Sequence, residues 1–585
     1  MKKLITLLLT VVVSLGCVFG FTGCRRDDEE QFDDTKSHIY VGVFNAGYGV
    51  AWLNDLKTRF ETYYEGVSFE KDKEGVQVHI SDVTQGTEFI NQIGNSSQEV
   101  IFTSNADYYA YVNDNKLLDI TDAITTPLEI NGETKSIEDK IPEAEKNFYK
   151  TKDNKYYAVT ASGGNYGIMM NVDLFENKDL YFAKGGCPSE YLRTNENCDK
   201  ALSFPEEVTS WDDSMYEFTG KGEKSAGPDG KYGTNDDGQP ATYDEFIAFC
   251  DNCVDNGVQA FHWPGKYQSH ISHAMLSMVA DYEGSEQMML NYTFNGVAKN
   301  LISVDEDGNV TKLPELKITN SNGYELGKQA GRYYVLDFIE RLLANKSYYN
   351  ENLSVYNSTH THTDAQDDFV SGGLMDGKKE IALLWDGPWW YNEAQPAFNV
   401  LGEGVGEHCL AKNRKFQKMS YPKATNEKVG EEKISYLYSS PYICMANANV
   451  DSNKVDMIKK FIKFAFTNES NLKFTEITNT TRTHEYDIPT GYTDKLSYYA
   501  KTVLEDKLNS TVCFGASSNK MYVNKSFSLF NPEIYWSTLI NGDEFYTPNQ
   551  AFTHEGKTAI EYFNGLIKAR DKAYWDRNYS DFYQD

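Results

Sequence analysis

Residues 385–390 read Trp-Asp-Gly-Pro-Trp-Trp. Three indoles lie around one carboxylate, and Gly387-Pro388 forces a bend between them. An indole is a flat apolar platform, and a carboxylate accepts hydrogen bonds from hydroxyl groups. Together they suit a polyhydroxylated ring such as a pyranose, which has a C–H face and a rim of hydroxyls. Trp385, Asp386, Trp389 and Trp390 are therefore expected as ligand contacts; the competing reading puts one or two of the indoles in a core, since strand alternation turns Trp385 and Asp386 to opposite sides.

Other polar and aromatic residues fall where expected strands end. Asn45 and Tyr48 follow a first strand, and Ser104 and Asn105 follow a third. Asn165 and Tyr166 border a Gly-rich bend that is turn-forming in its own right. Trp263, in Phe-His-Trp-Pro, closes a helix-to-strand passage, and Tyr438 follows a late strand. Arg482 offers a guanidinium fork that fits either a hydroxyl pair or a structural salt bridge.

Metal chemistry has thinner support. The turn at 227–238, GPDGKYGTNDDG, gathers Asp229, Asn235, Asp236 and Asp237, hard oxygen donors of the kind calcium takes. A structural calcium is therefore an expectation, although the spacing and closing Glu of an EF-hand are missing. His360-Thr-His362 and His270-x-x-His273 have metal spacing without a third ligand nearby, so no metal is assigned to them. No other cofactor is expected. Cys250-Asp-Asn-Cys253 lies in an amphipathic helical pattern and reads as packing. Seven of the nine cysteines fall after residue 24, an odd number that gives no disulfide framework, although Cys187 and Cys198 flank a loop and could pair.

No nucleophile elbow, HExxH or P-loop occurs. Eighty-six acidic residues offer too many pairs to single out a glycosidase dyad, so no catalytic residue is named and a non-enzyme is expected. The rival readings are a secreted glycan-active enzyme and the same architecture binding a peptide or another polar solute. A formal charge of −30 argues against nucleic acid as a partner.

The elements that must position these residues begin behind an export signal. Lys2 and Lys3 precede an apolar run, and Phe-Thr-Gly-Cys at 21–24 ends it before a charged tail. Residues 1–23 read as a lipoprotein signal peptide, Cys24 as the lipidated residue and 24–37 as a tether. The chain is expected at the extracellular face of a bacterial membrane, anchored by lipid. After it, a strand at 38–46, a helix from 51, a strand at 76–83, a helix and a strand at 99–104 predict a mostly parallel α/β sheet, with ligands beyond its carboxyl ends. Residues 155–175 read as strand, bend and strand, crossing between two lobes. Residues 371–394 and 433–446 contain further strands, and 450–479 is strongly helical.

In this order the segments resemble the extracellular solute-binding proteins of ABC transporters, the carbohydrate-binding group of maltose/maltodextrin type. VGVFNAGYGVAWLNDLKTRFE resembles the family's opening strand, turn and helix. EVIFTSNADYYAYVNDNKLLDITDAI, YGIMMNVDLF, GKKEIALLWDGPWW and KFIKFAFTNESNLKFTEITNTTR resemble later elements in the right order. Trp389 takes the position of the family's stacking aromatic. The resemblance implies a two-lobed periplasmic-binding-protein fold of type II, with hinged lobes and mostly parallel sheets. It places lobe 1 at 38–158 plus 434–482 and lobe 2 at 159–433 plus 483–585. It also implies an interlobe cleft that captures a carbohydrate, an oligosaccharide by its many aromatics, and delivery to permease subunits by a monomer. Insertions near 176–241 and 295–365 are where the resemblance carries least.

Overall fold

The computed structural model describes residues 31–583, apart from 105, 164, 192–210, 212, 268, 355–358, 438–440, 525–537 and 541–543. The signal segment, Cys24, Asn105, Cys198 and Tyr438 lie outside the described residues.

Eleven strands carry the architecture: β1 (Ser37–Val43), β2 (Val76–Asp82), β3 (Val100–Thr103), β4 (Ala158–Ser162), β5 (Gly167–Asn171), β6 (Gln259–His262), β7 (Ile381–Asp386), β8 (Phe416–Met419), β9 (Ile434–Leu437), β10 (Tyr442–Ala446) and β11 (Thr511–Phe514). A five-stranded sheet runs β2-β1-β3-β10-β4 and a four-stranded sheet runs β8-β5-β7-β6. In the first, β1 pairs parallel with β2 and β3, while β10 lies antiparallel between β3 and β4. In the second, β7 pairs parallel with β6, and β5 lies antiparallel between β7 and β8. Each sheet thus holds one reversed strand among parallel ones, and in both the reversed strand belongs to a segment that crosses between the sheets. The type II, mostly parallel two-sheet fold expected from the resemblance is the fold found.

Apolar runs explain why these strands are central. Leu383, Leu384 and Trp385 of β7 and Ile101 and Phe102 of β3 are fully buried, as sheets covered by helices on both faces require. The helix Ala51–Tyr63 buries Trp52, Leu53, Leu56 and Phe60 against the first sheet at helical spacing. The helical stretch expected at 450–479 is two helices, Val455–Ala465 and Asn468–Thr478. The break falls at Phe466-Thr467 because the Thr467 hydroxyl accepts the Ser470 N–H at 3.2 Å and starts a new helix.

The sheets are joined where β4 passes to β5 and where β8 passes through β9 to β10. Gly163 sits at the first crossing, and a Cβ there would lie 2.6 Å from both Leu437 and Thr483. β9 pairs parallel with β11 beside the crossings. An ion triplet ties this region: Asp506, on the helix Tyr498–Leu508, meets Lys418 of β8 at 2.5 Å and also Lys433. The two lysines hold the Asp506 carboxyl far below the usual carboxylate range against the cost of its burial. The chain's end packs on helices of the second half, with Phe563 against Tyr333 and Trp575 against Phe294. Among the described residues no helix is long and apolar enough to cross a membrane. Cys187, Cys250, Cys253, Cys409, Cys444 and Cys513 are buried free thiols.

Candidate ligand-binding site

β7 ends by delivering Asp386 to the carboxyl end of the second sheet, where it is only 1% exposed. The Gly387 N–H donates to its Oδ1 at 2.6 Å. Gln366 Nε2 donates both to Asp386 Oδ2 at 2.9 Å and to Glu393 Oε2 at 2.8 Å. One amide therefore bridges two acids. His270 Nδ1 lies 3.4 Å from Asp386 Oδ1, and His362 Nε2 lies 3.8 Å from Glu393 Oε1. Burial, and then the Asp386 charge, push the Glu393 carboxyl up to about 8, while the Gln366 hydrogen bond opposes the shift. Burial pushes the His362 imidazole down.

Trp389 stands beside this acid pair. Gly387 has no side chain where one would collide, since a Cβ would lie 2.3 Å from the Trp389 ring. The short helix Trp390–Glu393 then turns successive side chains apart. Trp390 goes into the core among Phe369, Phe416 and Tyr499. Trp389 stays half-buried, edge-on to Tyr166 at 5.2 Å and to Tyr48 at 6.1 Å. Tyr166 stacks on His273 at 4.6 Å and 16°. Burial pushes the His273 imidazole down to about 3 and the Tyr48 phenol up to about 12.

The first half reaches this group through the loop after β1. Asn392 Nδ2 donates to the Gly47 carbonyl at 2.8 Å. Gly47 has φ 87°, and a Cβ on it would lie 2.7 Å from Trp389 Cδ1 and from Glu393 Oε1. Backbone conformation and close approach both require glycine here. The carboxyl ends of β1 and β7 thus face each other across a junction lined by two acids, three histidines and three aromatic rings.

Of the residues expected from sequence, Tyr48, Tyr166, Asp386 and Trp389 are brought together. Asn45 is exposed beside them, its Oδ1 accepting the Gly49 N–H at 3.0 Å. Ser104 contributes its carbonyl to Gly86 N–H at 2.8 Å. Asn165 Nδ2 donates to Ser435 Oγ at 2.5 Å, at the crossing. Trp263 and Trp385 differ from expectation: they are 1% and 0% exposed, with Trp263 in a stacked cluster with Phe261 and Tyr349 and Trp385 edge-on to Trp263. Trp390 is likewise core. Arg482 is buried over Phe474 at 4.2 Å and donates to the Ala161 carbonyl at 2.6 Å, a structural strut in this form. Gln366, Glu393 and His362 were not singled out as ligand contacts, nor was either member of the His270/His273 pair. The only signal for them was the His spacing and the position of Glu393 one helical turn after Trp389.

The turn at 227–238 closes on itself. Asp236 Oδ2 accepts the Asp229 N–H at 3.1 Å, Asp237 Oδ2 accepts the Gly233 N–H at 2.8 Å, and Gln239 Nε2 donates to the Asn235 carbonyl at 3.1 Å. Burial and the Asp229 charge push the Asp236 carboxyl up to about 6.

No family model matches the sequence, and no curated protein matches it. Among solved structures the chain is similar to maltose-bound MalE3 of T. maritima, at 13% identity and a TM-score of 0.51 over 91% of this chain and 99% of that one. It is also similar to the GacH receptor of Streptomyces glaucescens, described unliganded and with acarbose, at 14% identity and a TM-score of 0.50 over 94% and 99%. A chitin oligosaccharide binding protein aligns at 13% identity and a TM-score of 0.49 over 92% and 99%. The first two likenesses establish the fold, that of the MalE-like type II binding proteins.

Proposed function

We propose that the chain is the substrate-binding lipoprotein of an ABC transporter, capturing a carbohydrate between its two halves and passing it to permease subunits at the membrane. The observation that carries this reading is Trp389: a half-buried indole beside the bridged acids Asp386 and Glu393, at the junction of two sheets in a MalE-like fold. An indole face takes the C–H side of a pyranose, and the acids, Gln366 and the histidines take its hydroxyls. Maltose on MalE3 and acarbose on GacH, as those structures are described, support an oligosaccharide as the ligand class. Anchoring through Cys24 at the extracellular face rests on the export signal and the Phe-Thr-Gly-Cys ending.

The test is calorimetry of the chain from residue 25 onward against malto-, chito- and other oligosaccharides, with peptides alongside. Heat with at least one glycan class and none with peptides is expected. Heat with peptides alone would overturn the sugar reading, and release of reducing ends during incubation would make the acid pair catalytic. Mass spectrometry of the exported protein should find a diacylated Cys24 at its N-terminus; a free amino end elsewhere would refute the anchor.

A further inference from the structure

We propose that His262, His360 and Asp368 form a zinc-type transition-metal site that clamps the helix His362–Ser371 to the end of β6. The two imidazole Nε2 atoms lie 3.1 Å apart. His360 Nε2 lies 3.2 Å and His262 Nε2 3.9 Å from Asp368 Oδ2. Zinc bonds of about 2.0–2.2 Å to nitrogen and carboxylate oxygen place tetrahedral ligand atoms roughly 3.3 Å from one another. Two of the three edges already have that length, and a small turn of the carboxylate supplies the third. Two borderline imidazole nitrogens with one hard carboxylate oxygen form a set that suits zinc rather than calcium or magnesium, which take all-oxygen sites.

The ligands come from two elements, His262 from the end of β6 and His360 and Asp368 from the capped helix His362–Ser371 and the residue before its cap. His262 is the last residue of β6 and fully buried. His360 precedes Thr361, which caps the helix in a reciprocal bond with Asp364, and its carbonyl accepts the Lys266 N–H at 3.0 Å. Asp368 lies further along the same helix, and Lys378 binds its Oδ1, leaving Oδ2 to face the histidines. Three protein ligands leave a fourth position for water. The helix so clamped also carries Gln366 and His362, so the metal would fix the wall of the site from behind.

Without a metal, the same atoms form a hydrogen-bonded His-His-Asp chain, and the experiment separates the two. Chelator-treated protein is titrated with Zn2+ by calorimetry and with Co2+ by visible absorption. One equivalent per chain is expected, with the intense d–d bands of four-coordinate cobalt. Asp368→Asn and His360→Ala, shown folded by circular dichroism, should each weaken Co2+ binding more than tenfold. His554→Ala, a change at an exposed histidine, should leave it unaltered. Zn2+ should raise the melting temperature of the wild type and not that of the variants. Absence of Zn2+ and Co2+ binding in the wild type, or equal binding in both ligand variants, overturns the proposal.

Discussion

Glu393 concentrates the chemistry of the site at the scale of a single residue. Its carboxyl is buried against Asp386 and titrates near pH 8, so at neutral pH it is largely a hydroxyl donor. A carboxyl whose folded pKa lies above its unfolded value of about 4.3 stabilises the fold fully below that value. That contribution is lost as pH rises through about 8. Glu393→Gln should therefore flatten the fall in melting temperature between mildly acidic and mildly alkaline buffer, measured by calorimetric scans, if Asp386, His270 and His362 remain as they are. The adjacent indoles should separate cleanly. Trp390 is fully buried, so Trp390→Ala should cost about 3–5 kcal/mol in chemical denaturation. Trp389→Ala should change stability far less. Trp-Asp-Gly-Pro-Trp-Trp was legible in the sequence as the candidate binding turn, but the burial of Trp385 and Trp390 in the core was not. The reason is that Trp389-Trp390 begins a helix and the burial of Trp385 depends on Trp263 and Phe246 from distant segments. Gln366 was invisible for the same reason: its two partners lie 20 and 27 residues away.

At the scale of elements, the crossing segments depend on the Asp506 triplet. β8, the residues before β9, and the helix Tyr498–Leu508 meet at one carboxylate flanked by two ammonium groups. Asp506→Ala would leave the buried Lys418 ammonium without its counter-ion and the half-buried Lys433 with Ser420 Oγ, and a loss of about 3–5 kcal/mol is expected in urea denaturation. A change below about 1 kcal/mol would show that the triplet contributes little to holding these elements together. The strands were legible from their apolar runs and flanking glycines, whereas the reversed strand in each sheet was not, because strand direction is set by pairing between distant segments. The break at Thr467 was not anticipated, since helical periodicity continues across it and only the capping hydroxyl reveals the stop.

The molecule as a whole is two α/β halves that touch where Asn392 meets the Gly47 carbonyl and Trp389 meets Tyr48. On the proposed function, a sugar held by both halves favours the arrangement with these contacts over one in which the halves stand apart. Small-angle scattering should show a smaller radius of gyration with bound glycan than without, and Gly47→Val should abolish that change by keeping the halves apart. The two-lobed α/β fold was legible because five segment matches fell in sequence, whereas the identity of the sugar depends on side chains that converge only in the folded chain. The most direct test of the account is a side-by-side calorimetric titration of wild type and Trp389→Ala with the glycan that binds best. An indole platform at the centre of the site predicts a loss of at least about 2 kcal/mol, roughly 30-fold in affinity, at unchanged stoichiometry. Equal affinity in the two proteins would contradict it.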